Sequence, residues 1–202
     1  MSIRSIHSVQ KHLALTFDDG PDRSFTPQVL DILAQYAVPA TFFCLGSQVN
    51  AFPEVLRRMH TEGHTIANHT WSHPYLTRSS VHDLVWEVQS TSDLIHDISG
   101  CRPRFFRPPY GDTDASVEEQ IALLGYQSIL WSVDSTDWSG ISGPEVAARV
   151  IPHLHPGAIV LHHSAGHVAG TVAALPYLIE VTRALGYEYV RLEDMLGQPA
   201  YQ

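Results

Sequence analysis

Short apolar runs alternate with longer segments of helical period along almost the whole chain, and that rhythm leaves few folds open. The runs His12–Thr16, Ala40–Leu45, Thr65–Asn68, Arg104–Phe106, Tyr126–Trp131, Ala158–His162 and Glu188–Arg191 read as strands. Between them, Thr26–Tyr36, Pro53–Glu62, Ser80–Ser99, Ser116–Leu124, Pro144–His153 and Thr171–Leu185 read as helices. The boundaries carry matching chemistry. Thr26-Pro27 sets a cap residue before a first-turn proline, and Ser80-Val81-His82-Asp83 resembles a capping box. Gly63, Gly125 and Gly186 each stand just past a helix, where a left-handed residue is wanted. Strands joined by helices of this length pair in parallel through right-handed crossovers. The pattern predicts an α/β fold, a single-domain distorted or incomplete (β/α) barrel of about seven parallel strands, spanning residues 1–202 with its core over about 13–192. Neither a Gly-x-Gly-x-x-Gly segment nor a phosphate loop is present, which argues against an open nucleotide-binding sheet.

Composition narrows the partners. Twelve Lys+Arg against twenty-one Asp+Glu give a net charge of -9, which argues against nucleic acid or another strongly anionic polymer as ligand. No apolar stretch reaches the roughly 18 residues of a membrane span. Two cysteines, Cys44 and Cys101, cannot build a disulfide framework or a thiolate zinc site. The first residues lack the apolar core of a secretory signal, which predicts a cytoplasmic protein. Histidine is the outlier, since its 13 residues exceed the Lys+Arg total.

In parallel barrels, active sites collect where strands end at their C-termini. Here ionisable residues stand at five such ends: Asp18-Asp19, His69, Arg107, Asp134 with Asp137, and His162. Adjacent carboxylates at a strand end point opposite ways, so one can bind a cation while the other faces what the cation activates. The bland reading of Asp18-Asp19-Gly20-Pro21 is an acidic turn. His69 and His73, at i and i+4, share one face of a helical turn and can reach one metal. An isolated pair at this spacing also arises by chance in a chain this rich in histidine. With Asp19 they make a two-His, one-carboxylate set that leaves coordination positions open, as a catalytic metal requires. Arg107-Pro108-Pro109-Tyr110-Gly111 is a stiff loop whose arginine can clamp a carboxylate, or an ordinary rigid turn. His162, ending an apolar run, becomes a proton donor if paired with a buried aspartate and is otherwise a core histidine.

Taken in order, these segments resemble the polysaccharide deacetylase family (the NodB homology domain, carbohydrate esterase family four) from about Leu13 to Leu192. Val38-Pro39-Ala40-Thr41-Phe42-Phe43 and Glu62-Gly63-His64 resemble it too. The resemblance implies a metal-dependent hydrolase that removes acetyl from N-acetylglucosamine-containing oligo- or polysaccharides of the chitooligosaccharide type. It implies one divalent cation per chain, zinc being the usual ion, on Asp19, His69 and His73. By the same resemblance Asp18 is the catalytic base, Arg107 orients it, and Tyr110 contributes a backbone N–H to the oxyanion. His162 is the implied acid with Asp137 as its partner, and Trp138 and Leu161 wall the acetyl pocket.

The chain also departs from the family, which commonly carries an acidic residue after the catalytic histidine, whereas His163 and Ser164 follow His162 here. His163 and His167 read as loop histidines, and Asp134 as support without a chemical role. Two other hydrolase readings share the machinery: an esterase acting on O-acetylated glycans such as acetylxylan, and an amide hydrolase acting on a lipid-linked sugar or small amide. A non-catalytic carbohydrate-binding protein would be expected to have lost one of the implied catalytic residues, and all are present. A metal store explains the histidine count but ignores its spacing.

Overall fold

The structure, a computed structural model, describes residues 2–202. Its strands are β1 (His12–Asp18), β2 (Ala40–Cys44), β3 (Thr65–Asn68), β4 (Phe105–Phe106), β5 (Gln127–Ser128), β6 (Val133–Asp134), β7 (Ala158–His163) and β8 (Glu188–Tyr189). Every ladder between them is parallel. The sheet runs β5-β4-β3-β2-β1-β7-β6, and β8 pairs with the start of β1 before β2 takes over that edge. Because β5 and β6 stand at opposite edges, the sheet curls into a barrel that stays open between them.

The helices are α1 (Phe25–Tyr36), α2 (Gly46–Ala51), α3 (Pro53–Thr61), α4 (Val81–Ser99), α5 (Ala115–Leu123), α6 (Gly143–Val150), α7 (Ala169–Ala184) and α8 (Leu192–Leu196). Ser80 caps α4 by accepting the Asp83 N–H, and Ser142 with Glu145 forms a capping box on α6. Gly63, Gly125 and Gly186 all adopt positive φ, as their places after helices require. Two short helices, α2 and α8, are absent from the sequence reading because five or six residues offer too little period to detect.

One predicted strand divides. Tyr126–Trp131 reads as a single apolar run, yet β5 ends at Ser128 and the chain then crosses the barrel's opening to start β6 at Val133. The N-terminal segment fills that seam. Ile3 takes the Ser128 carbonyl and gives its own to the Leu130 N–H, and Ile6 donates to the Gly157 carbonyl.

Strand alternation sorts the core into two layers. Leu13, Leu15, Phe17, Phe42, Ile66 and Val160 face outward, where they pack with helix residues such as Leu33, Val146, Leu178 and Ile179. Ala14, Phe43, Ala67, Phe105 and Ile159 face the barrel interior. Along β7 the register sets Phe17 beside His162 and Asp18 beside His163. His163 therefore shares the interior side with Asp18, and His162 shares the helix side with Phe17.

Gly157 marks where the N-terminal segment meets β7. It has φ +78°, and a Cβ there would collide with the Ile6 carbonyl oxygen. Left-handed strain alone costs roughly 1–3 kcal/mol for an L side chain. Gly157→Ala should lower stability by at least that amount, read as a fall in the urea midpoint at unchanged slope.

Candidate active site

At the C-terminal ends of the strands lies a cleft of about 490 Å³. Asp18, Asp19, His69, His73 and His163 line its floor, and Tyr75, Tyr110, Trp131, Trp138, Leu161 and Asp134 its walls. Of the residues singled out in the sequence, Arg107 and Asp137 stand directly behind this lining, both fully buried.

Asp19, at φ +70°, turns its carboxylate toward two imidazoles. Its Oδ1 lies 3.5 Å from His69 Nε2 and 3.4 Å from His73 Nε2. Among the described residues that shielded oxygen has no hydrogen-bond partner. An orphaned carboxylate oxygen between two imidazole nitrogens is a donor set for a cation, and Asp19, His69 and His73 are the group of side chains that converges this way. His69 Nδ1 meets the Arg107 carbonyl at 2.7 Å, so its proton sits there and Nε2 keeps the lone pair a metal needs. Burial drives the His69 pKa down to about 3 against the opposing pull of Asp19, which keeps the ring neutral.

The two histidines do not share a helical turn. His69–His73 is a loop in which Thr70 and His73 both adopt positive φ, 71° and 65°. What holds it is a second layer of contacts. Glu87, on α4, accepts the N–H groups of Trp71 and Ser72 and the Ser72 hydroxyl, at 2.7, 2.8 and 2.6 Å. From the other side, Gly46 and Ser47 at the start of α2 donate to the Thr70 and Trp71 carbonyls. Gly46 has no room for a side chain, because the Trp71 ring and the Thr91 hydroxyl occupy its Cβ position. Asn68 closes the set by accepting the Thr70 N–H at 2.8 Å.

Asp18 points the other way, into the barrel interior. Its Oδ1 accepts 2.6 Å from Arg107 Nη1, and its Oδ2 lies 3.6 Å from His69 Nε2. Burial raises the Asp18 carboxyl above the ordinary carboxylate value, and the Arg107 charge opposes that rise. The result is a carboxylate that is oriented yet still basic.

The opposite wall corrects the sequence reading. His162 is buried on the outer face of β7 and does not line the cleft. Its Nδ1 stands 3.7 Å from Asp137 Oδ2, too far for a hydrogen bond. His163, read from sequence as a loop residue, takes the predicted place. Its Nδ1 is 2.7 Å from Asp137 Oδ1, and its N–H donates to Oδ2 at 2.8 Å. Thr171 adds a hydroxyl donor to Oδ2 at 2.5 Å. The missed signal was alternation itself: Leu161 and His162 cannot both face one cleft, whereas Leu161 and His163 can. The residue following the cleft histidine is then Ser164, where the family commonly has an acid.

Burial alone would raise the Asp137 carboxyl, but the two histidines beside it hold it below the usual carboxylate range. For His163, burial disfavours the charged ring, and the Asp137 hydrogen bond and charge prevail to bring its pKa up to about 9.

Comparison with known proteins follows the geometry. The family model for polysaccharide deacetylase matches residues 6–129, more than half of the chain. The chain belongs to the polysaccharide deacetylase family. It is 38% identical over 91% of its length to a Bacillus cereus peptidoglycan-N-acetylglucosamine deacetylase, covering 67% of that protein. A chitooligosaccharide deacetylase from Bradyrhizobium is 42% identical over 86% of this chain and 85% of its own. A solved peptidoglycan N-acetylglucosamine deacetylase superposes with a TM-score of 0.96 at 35% identity, covering 98% of this chain and 94% of that one. The chain spans only 39% of the length of several other curated relatives, among them one from Listeria monocytogenes. Among the described residues no helix is long and apolar enough to cross a membrane.

Two outcomes follow from the second layer of contacts. Glu87→Ala frees the loop between the two histidines and should weaken divalent-metal affinity by about 10–100-fold, measured by chelator competition. The raised His163 pKa also stabilises the metal-free fold. That contribution is full below the ordinary value of 6.5 and is lost as pH rises toward about 9. Unfolding free energy of the metal-free protein should therefore decline across that window, and decline less in His163→Gln.

Proposed function

We propose that this domain hydrolyses the acetamido group of N-acetylglucosamine units in an oligo- or polysaccharide, releasing acetate and a free amine. The observation that carries this reading is the pairing in one cleft of a carboxylate oriented by Arg107, Asp18, and an imidazole held by a buried aspartate, His163, together with the three-donor group Asp19, His69 and His73. The substrate class comes from the relatives, which are named as deacetylases of peptidoglycan and chitooligosaccharide.

Asp19, His69 and His73 would hold the divalent cation, for which we take zinc as the first candidate. When bound, it supplies Lewis acidity that makes water a better nucleophile and an amide carbonyl a better electrophile. Asp18 accepts the proton that the attacking water loses, while Arg107 keeps its carboxylate turned into the cleft. As the carbonyl carbon becomes tetrahedral, negative charge gathers on the acyl oxygen, and the backbone N–H of Tyr110 donates to it. Amide cleavage then needs a proton on the departing nitrogen, because a bare amide anion is too basic to leave. His163 donates that proton from Nε2, with Asp137 on Nδ1 holding the ring in place. Trp138 and Leu161 form apolar walls against which the acetyl methyl can sit.

The direct experiment is acetate release from N-acetylglucosamine oligomers of rising length, a peptidoglycan fragment and acetylated xylan, before and after chelation and with zinc restored. Chelator-sensitive release from an N-acetylated member is expected. Release from xylan alone would turn the reading toward an esterase, and silence with bound metal would overturn it. Asp18→Asn should keep its metal and lose about 10²–10⁴-fold in turnover. His163→Ala should lose far more on amides than on activated esters, whose leaving groups need no proton; equal losses would remove the acid role from His163.

A further inference from the structure

Behind the His163–Asp137 pair stands a second imidazole that the proposed reaction leaves unused. His162 is fully buried on the helix side of β7 and stacked on Phe17, with ring centroids 5.7 Å apart. Neither of its ring nitrogens has a hydrogen-bond partner among the described residues. A phenylalanine would fill the same place and make the same stack without burying two polar atoms, so packing alone does not explain histidine there.

Its surroundings offer one polar destination. Nδ1 faces Asp137 Oδ2 at 3.7 Å. That oxygen already accepts the His163 amide and the Thr171 hydroxyl, while Oδ1 receives the His163 ring. The carboxylate thus bridges two imidazoles, one in the cleft and one behind it. Closing the 3.7 Å gap to hydrogen-bonding distance needs a ring movement of well under 1 Å.

We propose that His162 is a positioning residue: its Nδ1–H donates to Asp137 Oδ2 and fixes the carboxylate square to His163. This rests on the reading of His163 as proton donor. An apolar side chain would leave Asp137 free to rock about the Thr171 contact.

Long-range ¹⁵N–¹H correlation spectra of the intact protein report the His162 tautomer without any need for turnover. A proton on Nδ1 is expected. A proton on Nε2, which turns a lone pair toward the carboxylate, would overturn the proposal whether or not the protein releases acetate. Kinetics of two variants supply the second arm. His162→Phe keeps the stack and removes the donor, and should lower kcat about tenfold at unchanged KM, the low end of what orienting contacts contribute. His162→Asn, which returns an N–H near the Nδ1 position, should recover most of that loss. Full kcat in the Phe variant, or equal losses in both, would reduce His162 to packing. An inactive wild-type protein would instead count against the proposed function and leave the tautomer result standing.

Discussion

Arg107 is the largest fully buried side chain among the described residues, and the cleft is arranged around its guanidinium. A buried cation is costly unless every N–H finds a partner and an anion lies within reach. Here Nε and Nη2 donate to the Ile129 and Leu130 carbonyls at 3.2 Å, and Nη1 donates to Thr16 at 2.9 Å and to Asp18. The Phe43 ring lies 4.0 Å beneath its plane. These partners come from β1, from β2 and from the chain just past β5, so one side chain ties the β5 edge of the curled sheet to its middle. Its own carbonyl, meanwhile, fixes His69. The carboxylate proposed as base and one member of the candidate metal cradle are thus oriented by two ends of the same residue.

On the other side of the barrel the same logic runs with the charges exchanged. Asp137 is the buried group and His163 the one that reaches the cleft. In both pairs the inner partner is inaccessible and held by several contacts, and the outer one reaches the cleft. Strain collects between them. Five of the six positive-φ residues other than glycine among those described are Asp19, Thr70, His73, Tyr110 and Thr136, which all sit in or beside the site. Each costs about 1–3 kcal/mol, and the buried pairs and the Glu87 contacts are what the fold sets against that cost.

Much of this was legible in the residues. The barrel followed from strand and helix spacing, and the candidate metal cradle from Asp19, His69 and His73 lying just past β1 and β3. The error at His162 was one of parity, since matching a motif by its histidine overlooked that a strand shows only alternate residues to one face. The helical turn assumed for His69–His73 failed for a different reason. Its geometry is imposed by Glu87 and by α2, fourteen or more residues away in sequence, and no local pattern announces that. The split of Tyr126–Trp131 is likewise global: an apolar run looks the same whether or not a sheet edge interrupts it.

The far end of the chain returns to the start of β4, where Ala200 accepts the Arg104 N–H and Gln202 donates to the Arg102 carbonyl. The last residues therefore lie at the N-terminal ends of β4 and β5, on the side opposite the cleft. A module attached after Gln202 would hang behind the cleft and leave its mouth open.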